Sequence, residues 1–290
     1  MSPRVVAWFV VLGATVAAPV DSPSPSRIIT ISPNGAEVIC ALDACDRIVG
    51  VDKFCVYPPE LAARPRVGGL FDPDLEKIVT LRPDLVVLRG RNRALEELCG
   101  RQSIPLYLDR TERLADIETC ILELGHKLGC HDRADGLVRE FHQRLEAIRG
   151  RTADKPRPRA LLTISRRPDA IANVMTAGKR TFLDEMLEIA GGTNVFGHLD
   201  MAYPQISPEA ILAQQPEVIL EFAPELNLTN DLKQQMIEQW TKLGSIPAVA
   251  NRRIYFITDD NALIPSPRYV EIIEKIVVIL RDQGIEHPPP

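Results

Sequence analysis

The chain runs to 290 residues, 45% apolar and 25% charged, with 34 Lys and Arg against 39 Asp and Glu and a formal net charge of −5. That balance supplies no basic face for a nucleic-acid backbone, and the composition excludes a disordered or low-complexity chain. The length suits two domains of about 120–130 residues better than one.

Residues 1–18 read as a secretory signal peptide: Arg4 precedes the apolar run Val5–Leu12, and small residues follow at Ala14, Ala17 and Ala18. The run is too short to cross a bilayer comfortably, so the expected product is soluble and periplasmic or extracytoplasmic. The first cysteine is Cys40, too far along to carry a lipid at a new N-terminus. Residues 19–26, rich in Ser and Pro, read as a flexible leader.

Arg27–Ile31 reads as a strand, and Ser32-Pro33-Asn34 supplies an N-cap and a first-turn proline for the helix that follows. Arg47–Val51 is a second strand. A helix over Asp74–Leu81, a strand over Asp84–Leu88, a helix over Ala94–Cys99 and a strand over Ile104–Leu108 continue the alternation. From 132 to 155 the pattern is one long helix, with Leu137, Val138, Phe141, Leu145 and Ile148 at helical spacing and no proline before Pro156. Strand and helix signals then resume at Arg159–Ile164, Thr181–Ala190, Ser207–Gln214, Val218–Phe222, Leu232–Leu243 and Arg253–Thr258, and Tyr269–Arg281 closes as an amphipathic helix. The expectation is an α/β fold of two lobes, each a central parallel-type sheet flanked by helices, joined by one long α-helix. Residues 27–131 form the N-terminal lobe, 132–155 the connector, 156–284 the C-terminal lobe and 285–290 a frayed tail.

One segment occurs twice. DLEKIVTLRPDLVVL from Asp74 aligns with SPEAILAQQPEVILE from Ser207 at an offset of 133, matching Glu76 with Glu209, Ile78 with Ile211 and Pro83 with Pro216. LDACDRIVG from Leu42 likewise resembles IAGGTNVFG from Ile189, at an offset of 147. All six cysteines (Cys40, Cys45, Cys55, Cys99, Cys120, Cys130) lie in the first half, without a CxxC, and suit an exported chain with disulfides rather than a metal site. A helix around Asp116–Gly129 puts Cys120 and Cys130 about 15 Å apart, too far to bridge. Cys40, Cys45, Cys99 and Cys130 are the candidate partners, in no assigned pairing.

ISPNGAEVICALDACDRIVGVDKFCVYPPE and RVGGLFDPDLEKIVTLRPDLVVL resemble the N-lobe of substrate-binding proteins of ABC importers, in the helical-backbone class that carries cobalamin, ferric siderophores or haem. TFLDEMLEIAGGTNVFG, YPQISPEAILAQQPEVIL, SIPAVANRRIYFI and PSPRYVEIIEKI resemble the C-lobe of the same family, so the likeness spans about 27–282. It implies a metal chelate held between the lobes of a monomer, with no cofactor of its own, and delivery to a dimeric ABC permease in the inner membrane. It also implies one exposed glutamate on each lobe for docking on permease arginines, here Glu76 and Glu209. First-turn acids in helices account for such residues locally as well.

In parallel α/β lobes ligands lie beyond the carboxyl ends of the strands. The rings of Phe54, Tyr57, Phe71, Tyr203 and Phe222 fall on those loops and suit a flat or aromatic ligand. Arg89, Arg91 and Arg93 fall there in one half and Arg166 and Arg167 in the other, with Arg180 and Arg268 near, and such a cluster favours an anionic ligand, with a ferric siderophore slightly ahead of cobalamin. Haem is the alternative, with His198, Met201 or Tyr203 in reach of its iron. The five histidines do not converge, which rejects a bare metal ion as cargo. No GxSxG, HExxH or Walker motif supports the rival reading of a chelatase-like enzyme.

Overall fold

The computed structural model describes residues 24–224 and 228–281. The expected signal peptide, residues 19–23 of the leader, part of the loop after Phe222 and the expected tail lie outside the described residues.

In chain order the N-terminal lobe contains β1 (Ile28–Ile31), α1 (Pro33–Ala41), β2 (Ile48–Val51), α2 (Leu75–Thr80), β3 (Leu85–Arg89), α3 (Arg93–Arg101), β4 (Leu106–Asp109) and α4 (Leu114–Leu128). The connector is α5 (His131–Thr152). The C-terminal lobe contains β5 (Arg159–Ser165), β6 (Val174–Thr176), α6 (Phe182–Ile189), β7 (Thr193–Asn194), β8 (Gln205–Ile206), α7 (Pro208–Gln214), β9 (Val218–Phe222), α8 (Asn230–Leu243), α9 (Pro247–Ala250), β10 (Ile254–Ile257) and α10 (Tyr269–Arg281).

The first sheet has the order β2-β1-β3-β4 and is parallel throughout. The second has the order β10-β9-β5-β6-β8, with β7 also paired to β5. Its β10-β9-β5 centre is parallel, but β5–β6 and β6–β8 are antiparallel. This mixed edge corrects the simple alternation of the sequence pattern. Strands as short as Val174–Thr176 and Gln205–Ile206 carry no periodicity and exist only through their pairing.

The duplicated segment folds twice in the same way. Asp74 accepts a hydrogen bond from the Lys77 N–H at the start of α2, and Ser207 accepts one from Ala210 at the start of α7. β3 and β9 follow at the same offset, and each pairs in parallel with the first strand of its lobe, β1 or β5. Both are buried, as strands covered on two faces must be.

Gly129 ends α4 with a φ of 70°, a left-handed conformation that glycine adopts without strain, and the chain turns at once into α5. The connector stops at Thr152 rather than 155, because a residue before proline, here Lys155, is steered away from helical geometry. Its apolar stripe of Ala134, Leu137, Phe141, Leu145 and Ile148 is buried against α4, α6 and α10. Phe141 meets Tyr269 edge-on, with ring centroids 5.4 Å apart. One core therefore runs from Ile28 in the first sheet through α5 to Leu280 in α10, while the outer face of each sheet has its own separate core. A connector embedded in a shared core resists bending.

Among the described residues one disulfide forms, Cys40–Cys45, joining the end of α1 to the short turn that follows. Cys55, Cys99 and Cys120 are buried thiols and Cys130 is a half-buried one.

Candidate ligand cleft

The C-terminal ends of the parallel strands of the first sheet open into one cavity of about 730 Å³. Each strand contributes to it: Ile31 and Pro33 after β1, Asp52–Phe54 after β2, Arg89–Arg91 at β3, and Asp109, Arg110 and Glu112 at β4. Leu70, Phe71 and Asp72 complete the wall from the loop before α2. No residue singled out from the sequence comes from the end of β4, although that strand end obeys the same rule.

Its floor is polar and tightly bonded. The buried Asp109 carboxylate accepts hydrogen bonds from Ser32 Oγ at 2.8 Å, Asn34 Nδ2 at 2.9 Å and the Thr111 N–H at 3.1 Å. Arg89 stands above this network without joining it. Its guanidinium lies 3.8 Å from Asp109 and 3.8 Å from Glu112, and the buried Nη1 has no hydrogen-bond partner among the described residues. A cation held by charge but with N–H groups unspent is suited to an acceptor on a ligand. Asp52 is buried beside it; burial pushes its carboxyl up to about 6, against the N–H groups of Phe54 and Cys55 and the charge of Arg66.

The rim is apolar. Phe71 is 93% exposed and Phe54 55%. Rings left this bare mark a contact surface. Tyr203 approaches from the C-terminal lobe. Burial first, then the negative charge of Glu112, pushes its hydroxyl up to about 12, with Arg89 opposing. Two groups of the first lobe thus act electrostatically on one of the second.

Phe54, Phe71, Arg89 and Arg91 line the cavity. Not every candidate keeps a group free for a ligand. Arg91 is spent in a two-pronged pair with Glu96 at 2.8 Å. The Arg166 side chain is only 1% exposed and lies under α8, not on the cleft. It donates to Glu221 at 2.7 Å and to the Met236 carbonyl, and Trp240 Nε1 donates to the same Glu221 oxygen. Phe222 is 5% exposed and part of the shared core. Arg268 is gripped by Glu37 and Asp260 and stacked on Tyr57. The arginines named from the sequence therefore do not all converge; Arg89 keeps free donor capacity at the floor, and Arg110, which also lines the cavity, has no ion pair among the described residues. The sequence did hold a signal for the fate of Arg166. Glu221 is an acid inside the apolar run VILEF, and a buried carboxylate demands a partner.

Glu76 and Glu209 are exposed in the first turns of α2 and α7, at matching positions of the two copies. Ser207 bonds to Glu209 and holds its carboxyl below the usual range.

Residues 28–261 match a family model described as periplasmic binding protein. The sequence is 28% identical over 257 residues to the vitamin B12-binding protein of Vibrio cholerae serotype O1, covering 88% of this chain and 89% of that protein. The fold is similar to the crystal structure of the periplasmic vitamin B12 binding protein BtuF of Vibrio cholerae, with a TM-score of 0.75 and 25% identity over 91% of this chain and 100% of the other. It is similar also to a periplasmic heme binding protein from Pseudomonas aeruginosa, with a TM-score of 0.75 and 25% identity over 88% of this chain and 92% of that one.

Proposed function

This chain belongs to the periplasmic binding protein family, and we propose that it is a receptor that holds a flat metal chelate, a corrinoid, between its lobes and passes it to an ABC permease. The observation that supports the ligand class is the cavity itself: bare rings at Phe54 and Phe71 stand over a floor that carries the under-bonded guanidinium of Arg89. Flat faces suit a flat macrocycle. Relatives named for vitamin B12 support the same reading. A structural neighbour named as a periplasmic heme binding protein makes haem the alternative.

Titrating the purified full chain with cyanocobalamin, haemin and ferric hydroxamate and catecholate siderophores by calorimetry tests the reading. Saturable one-to-one binding of cyanocobalamin is the expected result, weakened at least tenfold by Phe71→Ala with Phe54→Ala. Binding of haemin alone would replace corrinoid by haem, and binding of none would remove the receptor function.

Glu76 and Glu209 serve as docking groups for the permease, one per lobe, where exposed charges speed and orient encounter. A Glu76→Ala, Glu209→Ala double variant keeps its ligand affinity and loses transport in reconstituted vesicles; unimpaired transport would reject the docking role.

A further inference from the structure

Arg268 sits between β10 and α10 in the second lobe, yet its main partner is 231 residues away in the first. Its Nε donates to Glu37 Oε2 at 2.9 Å and its Nη2 to Oε1 at 2.7 Å, a fork-on-fork pair. The other edge of the same guanidinium makes a second fork with Asp260, Nη1 to Oδ1 at 2.8 Å and Nη2 to Oδ2 at 3.1 Å. Its flat face lies over the ring of Tyr57, with Cζ 3.6 Å from the centroid. One side chain thus joins a carboxylate of each lobe and a ring of the cleft loop.

The assembly is built, not incidental. The Glu37 side chain is 3% exposed on α1 and that of Arg268 is 14% exposed, so the pair is sheltered from salt and water. Asn261 donates to the Arg268 carbonyl, and the Arg268 N–H donates to the buried Ser266 hydroxyl, which sets the arginine from within its own lobe. A second tie joins the lobes elsewhere: Arg113 and the Leu114 N–H both donate to Glu185, and the Phe182 N–H donates to the Glu112 carbonyl. That tie uses backbone groups close to the connector. The Arg268 tie depends on side chains alone, and any parting of the lobes there breaks both bonds to Glu37 and the stack on Tyr57 together.

We propose that Arg268, gripping Glu37 and stacked on Tyr57, is an interlobe clasp that sets the width of the cleft and positions the Tyr57 ring, so that ligand release requires the clasp to open. The consequence for a ligand rests on the reading of this cleft as the chelate site; the consequence for the lobes does not. Arg268 is then a positioning residue, with at least four of its five N–H donors used within the protein. Lysine cannot replace it, since an ammonium neither bridges two carboxylates in plane nor stacks flat on a ring.

The test has two arms on the full chain, with Arg268→Gln, Arg268→Lys, Glu37→Gln and Tyr57→Leu compared after thermal melts confirm folding. Without ligand, hydrogen–deuterium exchange in peptides covering 53–57 and 261–268 is expected to quicken at least tenfold in both Arg268 variants and in Glu37→Gln. With cyanocobalamin, stopped-flow is expected to show dissociation at least tenfold faster and association changed less than threefold. Tyr57→Leu, which keeps the ion pair, raises dissociation while leaving exchange at 261–268 near wild type. Unchanged exchange in the Arg268 variants, or full rescue by lysine, overturns the clasp. If the wild-type protein binds no chelate, the proposed function falls and the ligand-free exchange alone decides the clasp. If any of these variants fails to fold, those that melt cooperatively carry both arms.

Discussion

The two copies of the repeated segment share a backbone and differ in what they do with charge. In the first lobe, β3 is apolar through Leu88 and ends in Arg89, whose guanidinium stands at the cavity floor. In the second, β9 holds Glu221 where β3 has Leu88, and Phe222 where β3 has Arg89. The Glu221 charge is turned inward onto Arg166 and Trp240, where it fastens α8 to the sheet. The lesson is that the same βα unit can present its strand end to a ligand or use it to hold its own lobe together. In this molecule the cavity is lined by the first lobe, and the second adds Tyr203, within electrostatic reach of Glu112 and Arg89, and the Arg268 clasp.

The largest expected effect breaks the second copy. Glu221→Ala leaves Arg166 buried without its counter-charge and the Trp240 N–H without an acceptor, and should cost about 3–5 kcal/mol in urea unfolding. Arg166→Met with Glu221→Leu, which copies the apolar character of Leu88, should recover most of that loss. If the double replacement is as unstable as Glu221→Ala, the pair has a role beyond its own neutralisation.

The first lobe has a buried acid of its own, Asp52, with no fork of this kind, and its carboxyl is raised from 3.8 to about 6. A carboxyl raised on folding binds its proton more tightly in the native state. Its ionisation therefore erodes stability as pH rises from about 4 to about 6, and the full penalty is present above that window. Asp52→Asn should stabilise the protein at pH 8 by up to about 3 kcal/mol and change nothing near pH 3. A difference independent of pH would show that the carboxyl is not the cause.

A reciprocal pair sharpens the contrast at the strand ends. Arg89→Leu should lower ligand affinity by about 10–100-fold, or about 1.4–2.8 kcal/mol, with little change in melting temperature. Phe222→Leu should do the reverse, lowering the melting temperature with affinity unaltered, because its ring is core. The smallest effects fall where the copies agree. Asp74→Ala and Ser207→Ala should each cost about 0.5–2 kcal/mol, and a large inequality between them would argue that the two helix starts are not equivalent.

Much of this was legible in local pattern. Asp74, Ser207 and Pro208 announce helix starts because capping is settled within a few residues of the cap. The connector shows as an apolar stripe uninterrupted by proline, and the parallel strand ends follow from the alternation of elements. Phe54, Phe71 and Arg89 were found by that rule and do line the cavity. Arg166 and Phe222 obey the same rule and were diverted, as was Arg268 near the last of those loops, because a side chain there can turn toward the ligand space or back into its lobe, and position alone does not choose.

The sequence by itself determined two α/β units, a helix between them and a repeated segment with an acid in each copy, since these depend on spacing within one or two turns. The tertiary structure decided which charges are free. Arg166 meets Glu221 across 55 residues and Arg268 meets Glu37 across 231, and separations of that size leave no periodic trace in a chain. Only folding brings such groups to within 3 Å, and a guanidinium so engaged has little left to offer a ligand.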